Sequence, residues 1–392
     1  MGQLHTYDEV LSLLLQNLPD PAPERVPLEA SAGRILATAV EADLDLPPFD
    51  RVVMDGYAVR STDVQTVPCR LRVVGDVVAG DSPEISVGPN EAVRIMTGAP
   101  LPRGADAVQM VEKTVQVGTE LVEILEPLLP GQNVAARASE VQKGAVVLRP
   151  GERLDSIKIG VLAAFGQQLV DVFRLPRAVI IPTGTELVDV SDIPGPGQIR
   201  NSNAFMLKAQ CTALGIDADV TPPLGDDRER TAAVFEEFKD ADLMIFSGGV
   251  SMGDRDYVHM VIKDSDARVV FHKAAIKPGK PVLFARRANQ VILGLPGNPV
   301  SSFVTFELFV RPAARALSGW KQGGLPRVTA RLEAAVSHKP GRLFFKPALL
   351  SFEGRGFAVT PIETKGSADL VAFRKANSLL MVPADATHLD VG

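Results

Sequence analysis

The sequence predicts a multidomain α/β plus β protein. It has a central α/β domain on a mostly parallel sheet, a β-rich domain inserted ahead of it, and a small C-terminal β domain. Three observations predict this. Between Arg177 and Leu317, short apolar runs alternate with helical patterns, the signature of a parallel sheet with crossover helices. From Ala42 onward, short strand-like segments are separated by Gly and Pro at near-regular intervals. After Gly323-Gly324 the texture becomes β again.

Composition bounds the function classes. The 392 residues exceed one ordinary core, and 46% apolar content lets each domain bury its own. A net charge of −6 argues against a nucleic-acid partner. Cys69 and Cys211 lack C-x-x-C spacing, and the five histidines form no H-x-x-x-H pair. A bound metal would therefore be a hard cation on carboxylates. MGQLHTYDEV lacks a signal pattern and no apolar run reaches membrane length, so the expectation is a cytoplasmic protein without a membrane partner.

Thr6 to Leu18 reads as a helix, with Val10, Leu14 and Leu18 in one stripe and Leu11 and Leu15 beside it. Thr6 and Glu9 form a capping box, and Pro19, Pro21 and Pro23 end the run. Leu28 to Leu36 reads as a second helical segment, interrupted by Gly33. Leu46 to Asp50 is rigid and extended; next, Asp55-Gly56 is a turn dipeptide between strand-like runs. Strand segments follow at 70–74, 92–96, 107–111 and 121–124, and Met96 to Pro100 is a glycine turn whose Thr97 hydroxyl can meet an anion. Arg137, Glu140 and Lys143 lie in a stretch without period, solvated or ligand-facing. A helical period returns at Leu154 to Leu162, so the β-rich part reads as an insertion.

The α/β region opens with a strand at Arg177 to Ile181 and the turn Pro182 to Leu187, which carries Glu186. A helix, Asn203 to Leu214, capped by Asn201 or Ser202 and closed by Gly215, leads to a strand at Asp217 to Leu224. Asp226-Asp227 caps a helix from Arg230 to Lys239, and both carboxylates suit a plain cap. The strand Ala241 to Phe246 then enters Ser247-Gly248-Gly249-Val250-Ser251-Met252-Gly253-Asp254, followed by a helical pattern from Tyr257 to Ile262. Strand, glycine turn and helix together aim bare backbone N–H groups at an anion. Asp254 and Asp256 can hold a cation against it, although a βα turn with a capping Asp has the same layout.

Further strands read at 269–271, 282–284 and 291–293, and Gly294 to Pro299 turns into a long helix, Val300 to Leu317. Lys273, Lys277 and Lys280 surround a stiff Pro-Gly turn, which suits a phosphate or oxyanion, or a solvated basic loop. Pro296-Gly297-Asn298-Pro299 fixes the backbone where it can aim amides at a substrate. Turns that follow strands of a parallel sheet are expected at one edge. The P-loop, the dinucleotide fingerprint and the G-x-S-x-G nucleophile elbow are all absent. The C-terminal strands read at 328–332, 344–350, 357–361 and 379–383, and Gly366-Ser367-Ala368-Asp369 opens a helical stretch.

Six stretches, MDGYAVR (54–60), RIMTGAP (94–100), PTGTEL (182–187), SGGVSMGDRDY (247–257), KAAIKPGKP (273–281) and GLPGNPVS (294–301), together resemble the molybdopterin molybdenumtransferase family, MoeA and the E domain of gephyrin. The resemblance implies four subdomains: 1–42 with 143–174, the inserted 43–142, a molybdopterin-binding-like 175–322, and a small β-barrel, 323–392. It implies a homodimer with its active site in a cleft between protomers. The implied substrates are adenylylated molybdopterin and molybdate, the cofactor Mg²⁺, and a candidate partner the molybdopterin adenylyltransferase. Asp55, Thr97, Glu186, Asp256, Lys273 and Lys277 match positions implicated in activity. Ser247, Gly248, Gly249, Ser251, Gly253, Lys280, Pro296, Gly297, Asn298, Pro299 and Ser367 are assigned to substrate, and Glu186, Asp226 and Asp254 to the cation. Two positions depart from the family pattern. Glu140 stands where many members carry Asp, and Thr185 where some do. A scaffold protein that keeps the pocket without turnover is the alternative from a different class.

Overall fold

The computed structural model describes residues 4–81, 84–250, 257–354 and 356–392. Its chain divides into two compact units, one of residues 26–32 and 38–170, the other of residues 1–25, 33–37 and 171–392.

The first unit is built on a six-stranded sheet with the strand order 107–110, 56–59, 91–95, 69–77, 121–124, 114–117. Alternation along Gly56–Val59 explains why both faces carry a core. Tyr57 and Val59 pack with Leu71, Val122 and Ile124, while Ala58 packs with Val93, Ile95 and Val108 on the other face. Gly56 belongs to this strand. Asp55-Gly56 is therefore not a hairpin turn: Arg51–Val52 pairs instead with Val134–Ala135. The glycine is needed for a different reason, since a Cβ there would lie 1.8 Å from the Gln109 carbonyl oxygen. Leu28 to Leu36 is not a helix either; a single 3-10 turn, Leu28–Ser31, precedes Gly33 at φ 79. The returning helix is Ser156–Ala164, capped by Asp155, whose side chain accepts from Lys158 N at 3.0 Å.

The second unit holds the α/β sheet. Its strands are β1 (Ala178–Pro182), β2 (Ala218–Val220), β3 (Leu243–Ser247), β4 (Arg268–His272), β5 (Leu283–Arg287) and β6 (Gln290–Leu295). The order is β2-β1-β3-β6-β5-β4. β2, β1, β3 and β6 run parallel, whereas β5 and β4 are antiparallel to their neighbours. Four parallel strands with an antiparallel edge make the mostly parallel sheet that the sequence predicts: no helix lies between β4 and β6, and parallel neighbours require a long crossover. Every residue of β1, β3 and β6 is buried, as strands covered on both faces require.

The first helix, Tyr7–Gln16, carries the expected capping box and buries Tyr7, Val10 and Leu14 in the larger core of this unit. Leu15 is exposed, so the buried stripe is narrower than the sequence suggests. The helix from Pro299 to Leu317 contains a π segment, Phe306–Val310. Glu307 there is buried and accepts from Gln210 Nε2 at 2.7 Å, and Arg311 closes on the same carboxylate. The C-terminal β domain has its own core of Leu332, Val336, Ala348, Val359 and Val382. Its longest strand, Leu343–Glu353, pairs in parallel with the two-residue strand Ile276–Lys277 of the α/β region.

Candidate functional site

Register places the site. Pro182 of β1 is level with Ser247 of β3, and Ser247 is level with Leu295 of β6. The three turns that begin at Thr183, Gly248 and Pro296 therefore leave the sheet side by side. Backbone bonds tie them together: Thr183 N donates to Ser247 O at 2.9 Å, Gly248 N to Leu295 O at 2.9 Å, and Gly184 N to Leu224 O at 2.8 Å. They enclose a cavity of about 780 Å³ at the C-terminal edge of the parallel strands, where α/β folds bind ligands.

Glu186, Asp226, Ser247, Gly248, Gly249, Pro296, Gly297, Asn298 and Pro299 all line this cavity, so the structure brings these residues together. Gly248 and Gly249 have φ of 95 and 62, and a Cβ on either would meet Thr183 Oγ1 at 2.8 Å. The turn can be this tight only with glycine. At the mouth, Asn298 Nδ2 donates to Ser367 Oγ at 3.0 Å and Val300 N to Ser367 O at 3.0 Å. These bonds seat the 367–370 segment of the C-terminal domain over the cavity, where Ala368 and Leu370 form part of the wall.

Asp226 and Asp227 separate in role. Asp227 is the cap, accepting from Arg230 N at 3.1 Å, whereas Asp226 lines the cavity. Among the described residues no three His, Cys, Asp or Glu side chains cluster to hold a metal. Glu186 and Asp226 both line the cavity, and this donor set suits Mg²⁺, which usually takes one or two carboxylates and completes its shell with phosphate oxygens and water. Ser251, Gly253, Asp254 and Asp256 lie outside the described residues.

The three lysines do not line the cavity. Lys273 is half-buried at φ 141, a backbone region that L residues rarely adopt, between half-buried His272 and an Ala274 whose N–H donates to Lys280 O at 3.0 Å. Lys277 is half-buried with its ammonium 4.5 Å from the centre of the Phe344 ring, and Lys280 is exposed.

Asp55 and Thr97 belong to the other unit, where they form a pair. Thr97 N and Thr97 Oγ1 both donate to Asp55 Oδ1, each at 2.7 Å. The backbone bond and then the hydroxyl hold the Asp55 carboxyl below the usual carboxylate range. The pair is complete above the ordinary carboxylate pKa and is lost as pH falls through the lowered one. Asp55 therefore stays ionised at neutral pH, and a pH–rate profile should show no limb from it between about pH 5 and 9. Thr97→Ala should move its titration up toward the ordinary value, which carboxylate NMR shifts would read. Of the unassigned loop residues nearby, Arg137 is 2.7 Å from Asp45 and Glu140 is 3.1 Å from Arg51.

Sequence reasoning missed Asn203. Its Nδ2 donates to Ser247 Oγ at 3.1 Å and to Gly297 O at 2.8 Å, bracing two of the turns against each other. The available signal was Asn201-Ser202-Asn203, where Asn201 alone suffices as the cap.

Comparison with known proteins decides the family. The MoeA N-terminal region (domain I and II) matches residues 5–166, a probable molybdopterin binding domain residues 179–316, and the MoeA C-terminal region (domain IV) residues 329–392. The molybdopterin molybdenumtransferase of Bacillus subtilis (strain 168) is 36% identical over 381 residues, covering 94% of this chain and 88% of that protein. The enzyme of that name from Staphylococcus aureus (strain Mu50) is 35% identical over 373 residues with the same coverage. This chain belongs to the MoeA family. The crystal structure of the MoeA molybdopterin biosynthesis protein from Pyrococcus horikoshii OT3 agrees in fold, with a TM-score of 0.85 and 31% identity over 100% of this chain and 98% of that one. The MoeA N-terminal match ends at residue 166 and the binding-domain match starts at 179, so the cavity-forming turns of this MoeA chain all lie in or beyond the binding domain. Among the described residues, no helix is long and apolar enough to cross a membrane.

Proposed function

We propose that this chain is a molybdopterin molybdenumtransferase, which inserts molybdate into adenylylated molybdopterin and releases AMP with molybdenum cofactor. The observation that carries the reading is the level register of β1, β3 and β6, which brings three glycine- or proline-shaped turns to one cavity. The Ser247–Val250 turn and the Pro296–Pro299 turn bind the phosphates through backbone amides, and Asn203 keeps the two turns at a fixed separation. Glu186 and Asp226 would hold Mg²⁺, which supplies counter-charge to the phosphoanhydride when bound.

Lys273 and Lys277 hold the incoming molybdate, their charge matching a dianionic oxyanion. Water adds to a phosphorus of the anhydride as the bridging P–O bond breaks, so AMP leaves and the pterin keeps its terminal phosphate. Molybdate forms two Mo–S bonds to the dithiolene as one oxo group leaves as water with the two thiol protons, without change of oxidation state. Asp55, kept ionised by Thr97, acts as a fixed negative charge and not as a proton donor at neutral pH. On the same reading the protein is a cytoplasmic homodimer with the molybdopterin adenylyltransferase as a candidate partner, and sedimentation of the purified chain tests the dimer.

Reconstitution tests the function. The chain, adenylylated molybdopterin, Mg²⁺ and molybdate should activate a molybdenum-free molybdoenzyme, and omission of molybdate should abolish activation. Tight binding of the adenylylated pterin with no activation would make the chain a scaffold that keeps the pocket without turnover.

A further inference from the structure

Lys277 meets the C-terminal β domain in a way that the anion-binding reading does not require. Ile276–Lys277 pairs in parallel with Leu343 and Phe344, placing Lys277 opposite Phe344. Two further bonds fix that register: Leu343 N donates to Ala275 O at 3.0 Å and Arg342 Nη1 donates to Ile276 O at 3.3 Å. The outcome is an ammonium 4.5 Å from the Phe344 ring centre. The ring is itself held. His338 stacks on it with centroids 5.2 Å apart and an interplanar angle of 25°, and His338 Nε2 bonds the Arg342 carbonyl at 3.0 Å. Lysine ordinarily keeps wide rotamer freedom on its four-carbon stem. A fixed π face restricts that freedom and attracts the ammonium, while N–H donors directed away from the ring remain open to an anion.

We propose that Phe344 is a positioning residue for oxyanion binding. Its ring holds the Lys277 ammonium in place for molybdate, so the C-terminal β domain sets the molybdate affinity of a site on the α/β domain. This rests on the reading of Lys277 as an oxyanion ligand. Leucine at 344 keeps an apolar side chain in the C-terminal core, to which Phe344 contributes only a partly buried face, and removes the π face. Tyrosine keeps the face.

The test is the steady-state rate of AMP release from adenylylated molybdopterin as molybdate is varied, in Phe344→Leu, Phe344→Tyr and Lys277→Met. Phe344→Leu should raise the molybdate KM about five-fold. The KM for adenylylated molybdopterin and the rate at saturating molybdate should stay within about two-fold, and Phe344→Tyr should restore the molybdate KM. An unchanged molybdate KM in Phe344→Leu, alongside a raised one in Lys277→Met, would overturn the role of Phe344 and leave that of Lys277 standing. Equal losses toward both substrates in Phe344→Leu would overturn it in favour of a purely structural role. An unchanged molybdate KM in Lys277→Met would overturn the reading of Lys277, and the proposal with it.

Discussion

Gly248→Ala is expected to lower kcat/KM for adenylylated molybdopterin about 100-fold while the chain still folds. Gly248 holds φ at 95, where an alanine is strained by about 1–3 kcal/mol. The added methyl would also lie 2.7 Å from the Thr183 carbonyl oxygen and 2.8 Å from Thr183 Oγ1. Thr183 has little room to retreat, because its N–H is bonded to Ser247 O at 2.9 Å and Thr183 bridges to Leu224 of the neighbouring connection. The turn itself must move, and with it the amides that meet the phosphates. Gly33→Ala separates the two causes: φ there is 79, yet a Cβ would meet nothing within 4 Å. It should lower thermal stability slightly and leave kcat/KM as in the parent. Parental kcat/KM in Gly248→Ala would remove the turn from the site.

Asp55→Asn is expected to lower kcat about 1,000-fold with the thermal midpoint nearly unchanged. The amide keeps an oxygen to accept from Thr97 N and Oγ1, now at 2.7 Å, and the Asp55 carbonyl still accepts from Val111 N at 3.0 Å. Only the negative charge is lost. A variant within two-fold of the parent would show that this charge takes no part in the reaction, and would return the Asp55–Thr97 pair to the role of a loop clasp.

Much of the site was legible because local chemistry dictates it. Paired glycines after the apolar run 243–246 announced the turn at 247–250, and three apolar runs announced the parallel strands whose level ends bring the turns together. Thr6 and Glu9 announced a helix start that the structure reproduces bond for bond. What was not legible depends on pairing across long sequence separations. Nothing near Gly56 in sequence says that the Gln109 backbone would press against it. The antiparallel edge was hidden because short apolar runs look alike in either direction, and only the missing crossover helix betrays it. Asn203 read as the first residue of a helix capped by Asn201 or Ser202, because its own partners lie 44 and 94 residues away. Phe344 read as one more strand residue, since its partner Lys277 belongs to another domain.

On the proposed function, this chain couples molybdate to cleavage of the adenylylated pterin. The most direct measurement is AMP release from purified adenylylated molybdopterin at fixed Mg²⁺, with and without molybdate. Release that requires molybdate, with molybdenum recovered on the dithiolene, is the predicted result. No release under either condition, or release at the same rate without molybdate, would contradict it.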